Sequence, residues 1–194
     1  MACIDPVVIS CVTKHECGSQ TLQRVAKQLQ LYKSPDVDGD QDQNDLGGGP
    51  ICAINDTTTA RNEQFSSADW RKRRAAVLIC LFEGPQGELR VILTKRSMKL
   101  SSYPGDVALP GGKTEEGDAD DSATALREAM EEIGLDSSLV EVVANLEPFI
   151  SLQQLLKVIP VIGLLDRVED FKPELNSDEV DSVFDVPLEM FLQV

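Results

Sequence analysis

The run GGKTEEGDADDSATALREAMEEIGL, residues 111–135, constrains this chain more than any other stretch, because a glycine pair, an acidic loop and a charged helix follow one another without a break. Ser122 stands as an N-cap with Asp120 and Asp121 ahead of it, where negative charge suits the helix macrodipole. Ala123, Ala125, Leu126, Ala129, Met130 and Ile133 recur at helical spacing, and Gly134 before apolar Leu135 makes a left-handed stop. This spacing predicts a helix over about Ala123 to Ile133 that buries the apolar face.

On the other face Glu128, Glu131 and Glu132 stand at i, i+3 and i+4, so their carboxylates share one patch. Each like-charged pair costs ~0.2–0.5 kcal/mol in an isolated helix. Carboxylate oxygens are what a hard divalent ion such as Mg2+ or Mn2+ takes, and such an ion converts the repulsion into a site. Arg127, inside this strip, is suited to orient a carboxylate through a bidentate contact. Gly111 and Gly112 let the backbone approach closely, and the Gly111 carbonyl is a further candidate ligand. For REAMEE alone a solvated acidic helix end is the bland alternative; the preceding PGGK and acidic loop weigh against it.

These residues resemble the Nudix box, G-x5-E-x7-R-E-U-x-E-E-x-G-U, where U is aliphatic. Here Gly112 is followed by five residues, Asp118, eight residues, and then Arg127, Glu128, Ala129, Met130, Glu131, Glu132, Ile133, Gly134 and Leu135. Aspartate replaces the first glutamate and the loop is one residue longer, which leaves the loop carboxylate open among Glu116, Asp118 and Asp120. An acidic GGK loop with an extra residue before TALREA is similar to the coenzyme A diphosphatase branch of Nudix hydrolases. Leu93, Thr94, Lys95, Arg96, Ser97, Leu100, Gly105, Val107 and Pro110 match that branch's LTKRS…L…G.V.LPGG pattern. The similarity runs from roughly Arg73 to Met190 and is strongest to plant members, through Ala75 to Gly84, Leu146 to Phe149 and Lys157 to Gly163. Where that branch often carries histidine, this chain has Tyr103, and its lone histidine is His15.

The resemblance implies an α/β/α sandwich with a mixed sheet and metal-assisted hydrolysis of a phosphoanhydride. Coenzyme A would give 3′,5′-ADP and 4′-phosphopantetheine. Arg127, Glu128 and Glu132 become the candidate catalytic residues, with Gly111, Glu128, Glu131 and Glu132 as metal ligands. The outer pair Glu128 and Glu132 matches the family's metal set most directly, Arg127 supports it, and the identity of the general base stays open. Two further readings stand beside this one: a Nudix enzyme for NADH, ADP-ribose or an oxidised nucleotide, and a shortened protein that binds metal, nucleotide or a partner without turnover.

Charge and composition bound the partners. The net charge of −15 repels nucleic acid and any polyanion at long range, so a diphosphate substrate needs local help. Mg2+ and the cations Lys95, Arg96 and Lys99 supply it at short range, with Lys95 and Arg96 the candidate substrate-binding residues; a solvated strand end is the plain alternative. No run of eighteen apolar residues suggests a membrane span. Cys3, Cys11, Cys17, Cys52 and Cys80 have no paired metal spacing, and their odd number makes a poor disulfide framework. Cys80, in the apolar run AAVLICLF, reads as a reduced core residue. The expected partner is a small diphosphate, with a homodimer left open. The first twenty residues lack the arginine-rich character of a transit peptide, so the expected location is cytoplasmic with mitochondrial as the alternative.

The 194 residues are expected to divide into an N-terminal tail, 1–70, and a domain, 71–194, that resembles the Nudix hydrolases. In the tail, Leu22, Val25, Ala26, Leu29 and Leu31 predict a short amphipathic helix. Ser34 to Gly49 is acidic and glycine-rich, the pattern of a flexible linker, and its DVDGDQDQND run lacks the offsets of a calcium loop. Arg71 to Arg74 reads as the charged lead-in to a strand. Strands are expected at Ala75 to Phe82, Leu89 to Thr94, Val140 to Leu146 and Val158 to Leu164, with a turn at Gly84 to Gly87. Similar proteins continue past the final Met190 to Val194 with a strand hairpin and a helix, so the domain reads as C-terminally truncated, with a sheet edge and an apolar face left open.

Overall fold

Two long apolar runs set the centre of the molecule. In the computed structural model, which describes residues 18–32, 73–151 and 155–191, RAAVLICLFE forms β1 (Arg74–Glu83) and LKVIPVIGLL forms β7 (Leu156–Leu165). They pair in parallel from Arg74↔Lys157 to Leu81↔Leu164. Both are mostly buried along their length, as interior strands covered on both faces must be.

The Gly84–Gly87 turn returns the chain antiparallel along β1 as β2 (Leu89–Arg96). A short pair, β3 (Val107–Ala108) and β4 (Gly111–Lys113), then joins β2 and β1 respectively. On the far side of β7 lie β5 (Val140–Asn145) and β6 (Phe149–Ser151). The last strand, β8 (Val180–Pro187), closes the outer edge of β2 from Arg90↔Pro187 to Arg96↔Val180. Together these make one mixed eight-stranded sheet.

Helices cover both faces. Below the sheet, α2 (Asp121–Ile133) packs Ala125, Ala129 and Ile133, with Leu135 beyond its end, on Ala76, Leu78, Cys80, Ile159 and Val161. Above it, α1 (Gln20–Leu29) places Leu22, Val25, Ala26 and Leu29 on Leu81, Val91, Leu93, Ile162 and Leu164. The expected α/β/α sandwich is thus the observed architecture, and α1 shares a core with the sheet. Leu31, expected on the apolar face of α1, is exposed beyond its end.

Three expectations for α2 are corrected. The N-cap is Asp120, whose carboxylate accepts the Ala123 N–H at 2.8 Å, and not Ser122, whose hydroxyl lies within the helix and donates to Asn145 Oδ1 at 3.2 Å. Met130 is 48% exposed, while Thr124 is fully buried. The buried arc is rotated toward Glu132, which is only 5% exposed, because β4 and the acidic loop pack against that side. The carboxylates therefore do not share one solvated strip.

Cys80 is buried and free, and burial pushes its thiol up to about 12, as suits a reduced core residue. Among the described residues no helix is long and apolar enough to cross a membrane. The expected linker Ser34 to Gly49, Arg71 at the start of the basic run, His15, Cys3, Cys11, Cys17, Cys52 and the final Leu192 to Val194 lie outside the described residues.

Candidate functional site

The third apolar cluster, Ala75, Leu156 and Val158 with Val77, forms one wall of a cleft of about 690 Å³. The opposing wall is charged, with Glu128 and Glu132 from α2, Arg96 from the end of β2, and Glu179 from the turn before β8. Gly111, Gly112 and Lys113 of β4 form the floor between them, and Tyr103 and Phe149 stand at its rim.

Each charged group is positioned by backbone structure. A Cβ at Gly112 would collide with the Glu128 carboxylate, so only glycine lets that side chain lie against the strand. Glu132 accepts the Gly111 N–H at 3.2 Å. Gly134, at φ 71°, ends α2 in the left-handed region and sends its N–H to Met130 O at 2.9 Å. The following turn hangs on the helix end, with Glu174 N–H to Ile133 O and Asn176 N–H to Glu132 O, each 3.0 Å. The same turn carries Glu179, whose carbonyl accepts the Ser97 N–H at 2.8 Å.

Arg96 sits at an irregularity in the β2–β8 pairing between Lys95 and Arg96, which re-aims the chain at the sheet edge. The loop that follows grips its backbone, with Arg96 N–H to Asp106 O at 2.9 Å and Gly105 N–H to Arg96 O at 3.1 Å. Its Nη2 reaches Ser102 O at 3.5 Å, and its Nε is buried with no hydrogen-bond partner among the described residues. Tyr103, in the same loop, has φ 53°, a left-handed conformation that costs a bulky residue energy and marks the loop as tightly determined. Lys95 is exposed and does not line the cleft, and Lys99 pairs with Asp178 at 2.9 Å on the surface. The structure thus brings Arg96 to the carboxylates and leaves the other two candidate cations outside.

Arg127 spends its five N–H donors on a single frame. Nε and Nη2 meet Asp118 Oδ1 and Oδ2 at 3.0 and 3.1 Å, Nη2 also meets Lys113 O at 2.9 Å, and Nη1 meets Glu128 and Glu131 at 3.1 Å each. The loop carboxylate left open in the sequence is Asp118 in this frame: its side chain is 7% exposed, Asp120 caps α2, and Glu116 is exposed. The Arg127 hydrogen bonds hold the Asp118 carboxyl down to about 2. Glu131 is drawn to Arg127 with its side chain 52% exposed.

Electrostatics separates the remaining acids. Burial raises Glu132 to about 7, the Gly111 N–H opposes that rise, and the Glu128 and Glu179 charges add to it. Glu128 is also raised, again chiefly by burial. Among the described residues no three His, Cys, Asp or Glu side chains already stand close enough to enclose an ion. The donor chemistry nevertheless fits a hard divalent cation, since oxygen donors in one cleft repel one another and are costly to ionise without a positive charge. Glu179 escaped the sequence reading; its only local signal is an acidic residue at the start of an apolar strand, SDEV, far from the box.

A β-sheet wrapped by two helices, with a glycine-floored acidic cleft at the end of α2, matches a known domain family: the NUDIX domain model covers residues 72–193, and the chain belongs to that family. It is similar to Nudix hydrolase 22, chloroplastic, of Arabidopsis thaliana, 51% identical over 91% of this chain and 58% of that protein. Nudix hydrolase 15, mitochondrial, of the same plant is 64% identical over 64% of this chain and 43% of that protein. The mouse peroxisomal coenzyme A diphosphatase NUDT7 is 50% identical over 55% of this chain and 44% of that protein. The chain therefore spans about half the length of these curated relatives. Among solved structures, a Nudix hydrolase from M. smegmatis, RenU, shares the fold at TM-score 0.52 and 20% identity, over 62% of this chain and 74% of that one.

Proposed function

We propose that this chain is a Mg2+- or Mn2+-dependent diphosphatase that hydrolyses the phosphoanhydride of coenzyme A or its derivatives, releasing 3′,5′-ADP and 4′-phosphopantetheine. The observation that carries the reading is the meeting of Glu128, Glu132 and Glu179 with Arg96 in one cleft. The likeness to the mouse coenzyme A diphosphatase and the LTKRS to LPGG pattern favour coenzyme A within the broader class of nucleoside diphosphate derivatives.

Each residue then has a task. Glu128 and Glu132 would hold the divalent ion, with the Gly111 carbonyl as a further ligand, and Glu179 would add a third carboxylate from the same charged wall. Glu131, held by Arg127 at the surface, is the outermost of the proposed ligands. A bound divalent ion supplies Lewis-acid activation of water and offsets charge on the diphosphate. The Arg96 guanidinium, which lines the cleft beside these carboxylates, receives a phosphoryl oxygen. One cleft carboxylate takes the proton of the attacking water as the P–O–P bond breaks. Lys95, outside the cleft, contributes charge at longer range. The apolar wall accommodates the non-ionic part of the substrate.

Tyr103, which lines the cleft where many members of the coenzyme A branch carry histidine, favours keeping a second reading: NADH, ADP-ribose or an oxidised nucleotide as substrate. Incubating purified chain with Mg2+ and coenzyme A, beside a panel of these compounds and the Glu132→Gln variant, tests both readings. Formation of 3′,5′-ADP by the unmutated chain alone supports the diphosphatase. Turnover of a different panel member moves the reading to that substrate. No turnover of any compound by a protein that melts cooperatively leaves a non-catalytic binding protein.

The net charge of −15 disfavours nucleic acid as a partner, and a homodimer is to be sought by sedimentation. The relatives' names place those proteins in chloroplast, mitochondrion and peroxisome, which favours an organelle over the cytoplasm, with the mitochondrial alternative among the options. Imaging of the tagged full chain decides between them.

A further inference from the structure

Thr124 is a fully buried polar residue on α2 that does not line the cleft. Its Oγ1 has three oxygens in reach: Asp118 Oδ2 at 2.9 Å, Asp120 O at 3.3 Å and Thr114 Oγ1 at 3.4 Å. A hydroxyl has one proton to donate, and the carboxylate is both the nearest and the charged acceptor. Asp118 is then saturated, since it also accepts the Glu115 N–H at 2.9 Å and two donors of Arg127. A carboxylate held on four donors cannot rotate without losing several of them at once.

We propose that Thr124 is a positioning residue for the cleft, acting through Asp118 and Arg127 on Glu128. The inference rests on the diphosphatase reading for its kinetic consequence, but its geometric part stands apart from it. The two departures of the loop explain why a hydroxyl is needed there. Aspartate is one methylene shorter than the family's glutamate, and the loop is one residue longer, so the carboxylate needs an anchor that fixes where the short side chain ends. Thr124 supplies that anchor from the first turn of α2, one helical turn before Glu128. Arg127, locked to Asp118 in a two-point contact, presents Nη1 to Glu128 at 3.1 Å and so fixes one oxygen of a cleft carboxylate. The chain of contacts runs hydroxyl, carboxylate, guanidinium, carboxylate, and each link is charge-assisted. Hydrogen bonds behind a ligand of this kind set its orientation, and losing them costs metal-dependent enzymes about 10- to 100-fold.

The test compares Thr124→Val, which keeps the shape and removes the hydroxyl, with Thr124→Ser, which keeps the hydroxyl. With coenzyme A and saturating Mg2+, Thr124→Val lowers kcat about 10- to 100-fold with KM changed less than about threefold, and Thr124→Ser retains most of the unmutated rate. In parallel, NMR of the metal-free chains follows the Arg127 Nε–H, which exchanges slowly with water while bonded to Asp118. Its protection is lost in Thr124→Val and kept in Thr124→Ser. Should Thr124→Val not fold, Thr124→Ala gives the same comparison with less crowding.

Unchanged kcat in the hydroxyl-free variant overturns the proposal, and so does a serine variant as impaired as the valine one. A loss of kcat with full Arg127 Nε–H protection overturns the route through Asp118. If the unmutated chain turns over nothing, the diphosphatase reading fails, and the Arg127 signal by itself still decides whether Thr124 holds the frame.

Discussion

Glu132 and Asp118 show how two acids in one unit are driven in opposite directions. Glu132 lies buried against β4 with one backbone N–H for company, and Asp118 lies under the Arg127 guanidinium. For Glu132 the folded state prefers the protonated form, so in chelated protein its contribution to stability is present below about 4.5 and is lost as pH rises through about 7. Glu132→Gln should therefore stabilise the metal-free protein by about 2 to 3 kcal/mol at pH 8 and by little at pH 4, while removing most turnover; urea melts at the two pH values check the first part and product formation the second. Asp118 behaves in reverse, its stabilisation being present above 3.8 and lost as pH falls toward about 2. Asp118→Asn should cost about 2 kcal/mol at neutral pH and lower kcat by loosening Arg127, measurable in the same melts and assays. Arg127→Ala should impair turnover through the same loss, now seen at Glu128.

At the scale of the element, α2 is stopped and started by backbone chemistry that serves the cleft. Asp120 caps the first turn, and Arg74 of β1 meets Asp121 to tie that end to the sheet. Asp120→Ala should lower stability by about 1 kcal/mol with little effect on kcat, as a denaturant midpoint and a rate assay will show. Gly112→Ala is the sharper change, because its methyl group enters the space of the Glu128 carboxylate. That variant should lose at least about tenfold in kcat with the secondary structure intact by circular dichroism. The helix boundaries were legible to within two residues from the periodicity and Gly134, and so were Ala125, Ala129 and Ile133 on the buried face, but one flank of that face was not. Apolar spacing placed Met130 inside and Glu132 outside, whereas the packing of β4 and the acidic loop on one flank reversed the two.

For the whole molecule, the sandwich is asymmetric: α2 spans the face that carries the acidic cleft, and the short α1 covers the opposite one through Leu22 and its neighbours. Leu22→Ala should cost about 2 to 4 kcal/mol and depress the melting midpoint, since it opens a cavity where α1 meets β1 and β5. Mg2+ should raise the midpoint of the unmutated chain in a concentration-dependent way and raise that of Glu132→Gln less, because an ion that binds the folded state alone shifts the equilibrium by mass action. No shift with the unmutated chain argues against the metal assignment. Four strands were foreseen from continuous apolar runs or alternation; β3, β4 and β6 were too short for any period to register. β8 was missed because Asp181, Ser182 and Asp185 interrupt its apolar residues.

By itself the sequence determined the glycine pair, the acidic loop, the length and stop of α2, the central strands and the residues from Arg127 to Glu132. All of these are local, set by φ/ψ preference, capping and period along one segment. Only the tertiary structure decided which acid belongs to which task. Glu179 reaches the cleft across more than forty residues of chain, Arg96 enters it while Lys95 beside it does not, Asp118 and not its neighbours binds Arg127, and Glu132 is buried while Glu131 is not. The physical reason is that charge and burial are properties of what surrounds a side chain, and those surroundings come from segments distant in sequence.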